Sequence, residues 1–400
     1  MTYYHQPLGE LVSLRAGYGF PVEMQGRTSG KYPFAKVGDI SRCGRSSSSF
    51  LTAADHYVDE ADLSVLRAKP IPAGSVVFAK IGEAIRQNHR VMAACEMLID
   101  NNAMAAIPSE KVHGRFLYHF LKTVDFYALA SATTVPALRK SDLEKLPTPC
   151  PPLNEQRRIA TVLDKADALR AKRREALAQL DRLAQSIFVE MFGPTEAQDW
   201  PVKTVANIVA QQGSGMRTGP FGSQLLHSEF VDSGIAVLGI DNAVANEFRW
   251  GEHRYITEAK YRALQRYTVK PGDVLITIMG TCGRCAVVPD DIPVAINTKH
   301  LCCITLDQKL CLPEFLHAYF LRHPMAREYL ERTAKGAIMS GLNMGLIKAM
   351  PIPLPPLARQ EQFLTRMRTS DVVKVKHRHA LATLDGLFAS LQHRAFQGEL

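Results

Sequence analysis

From Ile159 onward, apolar residues return every three or four positions: Ile159, Val162, Leu163, Ala166, Leu169, then Leu177, Leu180, Ala184, Ile187 and Met191. Asp164, Lys165, Lys172, Arg174 and Arg182 fall mainly off that stripe. The period predicts one amphipathic helix of about 40 residues, roughly 60 Å long. The pattern comes back 204 residues later in Met367, Val373, Leu381, Leu384, Phe388 and Leu391. A proline run precedes each helix, where a missing N–H does least harm. Lys145-Leu146-Pro147-Thr148-Pro149-Cys150-Pro151-Pro152-Leu153-Asn154-Glu155-Gln156 returns as Ala349-Met350-Pro351-Ile352-Pro353-Leu354-Pro355-Pro356-Leu357-Ala358-Arg359-Gln360. Gly193-Pro194 breaks the first helix.

The repeat reaches upstream of the prolines. At an offset of 198, Tyr57 pairs with Tyr255, Leu66 with Leu264, Gly74 with Gly272, Val76 with Val274 and Gly82 with Gly280. Gly74-Ser75-Val76-Val77-Phe78 and Gly272-Asp273-Val274-Leu275-Ile276 each read as a turn feeding a buried strand. Phe116-Leu117-Tyr118 answers Phe315-Leu316-His317 with short-helix character. A period this long is not that of a solenoid, which is roughly 20 to 50 residues. It means two whole domains, each closed by its own long helix.

These elements predict an α+β protein. Two repeated domains of mixed β-sheet with short helices, residues 1–150 and 194–354, are separated by two long helices, 151–193 and 355–400. A pseudo-twofold axis would run the helices antiparallel as a coiled-coil pair. Leu163, Leu177, Leu180, Ile187, Leu381, Leu384, Phe388 and Leu391 are the stripe residues expected to dock helix partners.

Composition narrows the partners. The formal charge of +9 favours polyanions. Nothing approaches the roughly 18 consecutive apolar residues of a membrane helix. Met1-Thr2-Tyr3-Tyr4-His5 lacks the basic region and apolar stretch of a secretory signal, so a cytoplasmic protein with no membrane partner is expected. Cys43, Cys95, Cys150, Cys282, Cys285, Cys302, Cys303 and Cys311 then read as reduced and mostly buried.

Catalytic signatures are scarce. There is no GxxxxGK[ST] loop, and the only Pro-Pro pairs sit in the two proline runs rather than behind the acidic or amidic residue of an amino-methyltransferase. A nuclease-like set on Asp241, Glu258 and Lys260 finds only Asp39, Glu60 and Asp62 in the first half, without the lysine. Cys282-Gly283-Arg284-Cys285 with Cys302-Cys303 invites a zinc site, but Ala84 and Gln87 stand at the aligned positions of the first half. Small buried hydrophobes account for these cysteines better, so no catalytic residue and no metal is assigned.

Basic, glycine-bearing loops offer more. Met216-Arg217-Thr218-Gly219-Pro220-Phe221-Gly222-Ser223-Gln224 and Gly280-Thr281-Cys282-Gly283-Arg284 are able to approach a phosphate or base edge. Ser41-Arg42-Cys43-Gly44-Arg45 and Arg86-Gln87-Asn88-His89-Arg90 share their composition in the first half. By side-chain type and position the DNA-contacting candidates are Arg42, Arg45, Lys80, Arg86, Asn88, His89, Arg90, Arg217, Thr218, Phe221, Ser223, Gln224, Arg284 and Lys299. The halves diverge here, as in Arg86-Gln87-Asn88 against Arg284-Cys285-Ala286.

With these residues assembled, the chain resembles the specificity (S) subunit of Type I restriction-modification enzymes. The resemblance rests on the twice-used Pro-x-Pro-x-Pro-Pro-Leu-x-x-Gln before a long helix, the Gly219-Pro220-Phe221-Gly222-Ser223 loop, and the end Ala395-Phe396-Gln397-Gly398-Glu399-Leu400. It covers essentially the full length. Glu155 before Gln156 follows the family, whereas Arg359 departs from it at a helix start. The resemblance implies that each domain is a target-recognition domain reading one half of an asymmetric, bipartite double-stranded DNA sequence. The helices would set the unread spacer and dock two methyltransferase (M) subunits. The M subunits use S-adenosylmethionine; restriction (R) subunits add ATP- and Mg-dependent translocation and cleavage. The chain itself would hold no cofactor and carry no catalysis. The specificity subunit of a modification-only or Type II-like system, an unrecognised nuclease, and an adaptor that binds no DNA remain the alternatives.

Overall fold

In a computed structural model, the structure describes residues 3–46, 48–131, 135–193, 200–211, 215–335 and 342–400. Met1, Thr2, Pro194 and the expected start of the second domain lie outside the described residues. Contacts divide the chain into two compact units: residues 1–178 with 376–400, and residues 179–375. The long helices span Leu153–Phe192 and Leu357–Gln397. The unit boundaries thus fall inside the helices rather than at their ends. Each unit owns the head of one helix and the tail of the other.

Unit 1 holds a five-stranded sheet in the order Val12–Ala16, Ala103–Pro108, Val76–Ala79, Val91–Ala93, Phe50–Leu51. A three-stranded sheet orders Tyr57–Val58, Tyr32–Ala35 and Leu98–Ile99. In unit 2 the matching sheet runs Met216–Thr218, Leu301–Ile304, Val274–Thr277, Cys285–Val287. Its second sheet runs Tyr255–Ile256, Ile235–Leu238, Ala295–Asn297, Thr268–Val269. Both units mix parallel and antiparallel pairs, so the α+β expectation holds.

The proline run has a defined job. Pro147–Pro149 pairs antiparallel with His5–Pro7, and Pro351–Pro353 with Val202–Thr204. Proline cannot donate to a ladder, so alternating prolines suit a two-stranded edge ribbon, and the residue between them is buried (Thr148, Ile352). The ribbon ties the end of each domain to its beginning just before the long helix starts.

The repeated glutamine completes that closure. Gln156 is 0% exposed. Its Oε1 accepts from the His113 N–H at 2.7 Å, and its Nε2 donates to Pro151 O at 2.8 Å and Lys111 O at 3.1 Å. Gln360 repeats the trio with Leu312 N–H at 2.9 Å, Pro355 O at 2.9 Å and Leu310 O at 3.0 Å. Three backbone groups depend on one side chain, and buried polar groups left unmatched are costly. Gln156→Ala is therefore expected to destabilise unit 1 by about 2 kcal/mol; an unchanged urea midpoint would contradict that role.

The helix ends are core, not seam. Ile159, Ala160 and Leu163 join Phe388, Ala395 and Phe396 in the main core of unit 1. Ala184, Phe188, Met191 and Phe192 join Phe363 and Met367 in that of unit 2. The sets correspond at an offset of 204, Ile159 to Phe363, Leu163 to Met367 and Phe192 to Phe396. Leu163 and Phe388, expected to dock a partner, are corrected here: both are buried against their own domain. Ile187 and Leu391 also pack on these cores, while Leu177, Leu180, Leu381 and Leu384 are half-buried.

Within each unit the helices run antiparallel. In unit 1 Arg170 Nε lies 2.6 Å from Asp385, and Arg173 meets His377. In unit 2 Lys374 Nζ lies 2.8 Å from Asp181, and Arg366 lies 3.0 Å from Glu190.

A polar triad fixes the first helix to unit 1. Asp164 accepts from His119 Nε2 at 2.7 Å and from Arg115 Nε at 3.0 Å. Burial would raise the Asp164 carboxyl, but the His119 and Arg115 hydrogen bonds and the Arg115 charge win and hold it at about 2. Burial holds His119 neutral against the pull of Asp164; its bare Nδ1, buried with no partner, fits that state. Because the folded carboxyl is depressed, its stabilisation is complete above about pH 4 and fades as pH falls toward about 2. Asp164→Asn should flatten that part of an acid-unfolding curve; an unaltered acid limb would count against the triad.

Candidate nucleic-acid interface

In unit 1 the 80–90 connection leaves strand Val76–Ala79 and returns as Val91–Ala93. Val77 pairs with Val91, and Leu275 pairs with Ala286 in unit 2. The two connections therefore differ by three residues, and the 198 offset fails after Gly82. This corrects the sequence alignment: Arg90, not Gln87, stands at the position of Cys285.

The extra residues build a cavity of about 280 Å³. Arg45, Asn88, His89 and Arg90 line it, four of the seven candidates from the first half. Tyr118 and Lys122 from the helix Gly114–Thr123 join them, with Asp167, Arg170 and Arg174 from the first long helix. The segment Ser41–Arg45, expected as a loop, ends the helix Val37–Arg45, and Gly44 is required there, since a Cβ would fall 2.5 Å from the His89 ring. His89 is held below its ordinary pKa by burial and then by Arg45, Arg90 and Lys122. Burial, outweighing Asp167, likewise lowers Lys122, with Arg170, Arg115 and Arg174 adding to it.

Two candidates at this cavity are structural. Asn88 adopts φ +52°, donates to Val124 O at 3.1 Å, and accepts from Arg90 Nη2 at 2.8 Å and Phe126 N–H at 3.2 Å. Its amide is spent on its own loop. Arg90, 4% exposed, lies 3.5 Å over the Phe126 ring. It faces inward and does not reach a base. Arg42 is tied to Asp39 and, at 2.7 Å, to Asp55. Arg86 is exposed but anchored, paired with Glu83 at 3.0 Å and stacked 4.0 Å over Tyr127. Lys80 is half-buried, its backbone bonded to Asn102 and Leu138.

In unit 2 three turns meet at one edge. Gly219 abuts the end of strand Ala295–Asn297 so closely that a Cβ would lie 2.0 Å from Asn297 O. The Ile278 N–H donates to His300 O at 2.9 Å, joining the 279–284 turn to the Thr298–His300 turn. That edge presents Phe221 (47% exposed), Ser223, Arg284 and Lys299. His300 belongs with them and was missed, as was Arg254, which stands nearby paired with Asp241 and Glu252. Burial first, then Lys299 and Arg254, lower His300 from its ordinary pKa, so these cations share one neighbourhood. Neither residue sits in a glycine-rich motif, so no local signal marked them.

Gln224 and Arg217 are corrected. Gln224 Oε1 accepts from Phe221 N–H at 3.2 Å and Tyr267 O–H at 2.9 Å, shaping the loop instead of reading DNA. Arg217 is 8% exposed and pairs with Asp273, 1% exposed, at 2.5 Å. Thr218 ends its strand, half-buried opposite Cys302. Burial pushes the Cys302 and Cys311 thiols up to about 12, and Cys285 and Cys303 are fully buried. They pack as small hydrophobes.

The fold and these surfaces define a duplicated α+β protein whose paired long helices each serve both units. The family model of the Type I restriction modification DNA specificity domain matches residues 5–180 and 254–378, and the chain belongs to that family. It is 25% identical over 327 residues to the Type I restriction enzyme EcoBI specificity subunit of Escherichia coli, covering 74% of this chain and 67% of that one. It is 23% identical over 330 residues to the EcoKI specificity subunit of E. coli strain K12, covering 73% and 67%. The fold is similar to the crystal structure of the Type I S subunit from M. genitalium, with a TM-score of 0.57 at 16% identity over 99% of this chain and 96% of that one. Its task is accordingly DNA target recognition in a restriction-modification system.

Proposed function

We propose that this chain reads an asymmetric, bipartite double-stranded DNA target, one half-site per unit, and docks two methyltransferase subunits and the restriction subunits without catalysis of its own. S-adenosylmethionine, ATP and Mg would be bound by those partners. The observation that carries the reading is a scaffold repeated where it folds and altered where its loops are basic. The prolines, the glutamine clamp and the helix-end cores recur at fixed offsets, whereas Arg90 and Lys122 give way to Cys285 and Leu321. Cations supply affinity at any sequence, and differing loop side chains supply discrimination.

The helices support two equivalent docking positions. Leu169 and Leu183 are exposed, and 204 residues on so are Val373 and Leu387. The Arg170–Asp385 and Asp181–Lys374 pairs put Leu169 level with Leu387 and Leu183 level with Val373. Each unit thus carries one apolar pair facing water, a feature that calls for a partner, and identical partners fit repeated positions.

The test is reconstitution. Alone with Mg²⁺ and plasmid, the purified chain should cut nothing; nicking would favour a nuclease. With its methyltransferase partner it should bind DNA at one sequence, and a complex without DNA affinity would favour an adaptor.

A further inference from the structure

We propose that the unit 1 cavity is a phosphate-binding site, a feature not repeated among the described residues of unit 2. The inference rests on the DNA-reading function only for the source of the phosphate. Five cationic side chains line the cavity, Arg45, Arg90, Lys122, Arg170 and Arg174, against one carboxylate, Asp167. Arg170 is spent on Asp167 and Asp385, and Arg174 leans on Asp385 at 3.3 Å. Among the described residues Arg45, Arg90 and Lys122 have no ion-pair partner. The nearest polar partner of Lys122 is the Tyr118 hydroxyl at 3.4 Å, and that of Arg45 is Gln87 Oε1 at 3.5 Å.

Burying cations beside one another costs free energy unless an anion offsets it. Three cations without a carboxylate partner among the described residues stand around a space of about 280 Å³, ample for one tetrahedral phosphate and its ester oxygens. Arg90, its guanidinium held by His89 O, Asn88 Oδ1 and Val124 O and stacked on Phe126, supplies a fixed charge behind the wall rather than a contact. Lys122 supplies a point charge and Arg45 an exposed arm at the mouth. A phosphate presents several acceptor oxygens to such a set. In unit 2 the corresponding positions of Arg90 and Lys122 are Cys285 and Leu321, both apolar. Among the described residues the site is therefore single. Its phosphate is either a DNA backbone phosphodiester or a free phosphate ion.

Thermal unfolding of the full chain in inorganic phosphate, against chloride at equal ionic strength, tests it. Phosphate should raise the wild-type midpoint more than chloride, and Lys122→Gln or Arg45→Gln should abolish the excess. The chloride midpoint reports whether each variant folds, and Arg45→Gln, at an exposed helix end, keeps the test valid if Lys122→Gln does not. In complex with the methyltransferase partner, loss of one phosphate contact should lower the slope of log affinity against log salt by about 0.9. A lowered slope identifies a DNA phosphodiester; an unmoved slope with the phosphate effect lost identifies the free ion. A wild type indifferent to phosphate, with an unmoved slope in both variants, overturns the proposal. If the wild-type complex recognises no DNA sequence, the specificity reading fails instead, and the titration on the chain alone still decides the cavity.

Discussion

Arg217→Ala should destabilise unit 2 by about 3–5 kcal/mol, because it strands a buried carboxylate. Arg217 donates to Asp273 at 2.5 Å, Thr268 O at 2.6 Å and Thr305 Oγ1 at 2.9 Å. Asp273 keeps only the Thr305 hydroxyl at 2.6 Å, the Lys270 N–H at 2.8 Å and the weak Cys303 thiol donor once the guanidinium is gone. Replacing both partners with apolar residues, as in Arg217→Met with Asp273→Leu, should recover most of the loss. The first unit supplies a natural comparison: Arg15, at the position of Arg217, donates to Pro70 O at 2.9 Å, and Ser75 stands where Asp273 does. Urea unfolding followed by circular dichroism measures the effect. A variant that keeps its wild-type midpoint but loses DNA affinity would restore Arg217 as a DNA contact.

Lengthening both helices by four residues should abolish methylation at the original target and create a target with a longer spacer. The insertions belong between Arg174 and Asp181 and between Lys374 and Asp385, outside the core-forming ends. Four residues add about 6 Å, the length of nearly two base pairs at about 3.4 Å each. Both half-sites should stay the same, since no loop of either unit changes. If the half-sites changed while the spacer did not, the helices would not be the ruler.

Much of this organisation is written locally and so was legible. Apolar residues recur at helical spacing over stretches of each long helix, though no single stripe is kept from end to end, and the proline runs mark where the helices begin. Strands such as Val76–Ala79 and Val274–Thr277 announce themselves as apolar runs after a glycine turn. The polar residues were less legible, because burial is a tertiary property. Nothing near Arg217 in sequence says that Asp273, 56 residues away, faces it, so a basic glycine-rich loop read as a base reader. Asn88 and Arg90 misled in the same way. A stripe residue such as Leu163 looks identical whether it meets a helix or a domain core. The cavity was invisible as a unit, since its lining comes from four separate segments and a three-residue difference in loop length breaks the repeat alignment there.

Methylation sequencing of a host carrying this chain and its methyltransferase partner decides whether one chain specifies two different half-sites. The expected result is one methylated motif made of two different half-sites across a fixed spacer, lost when this chain is removed. A palindromic motif, or methylation indifferent to this chain, would contradict it.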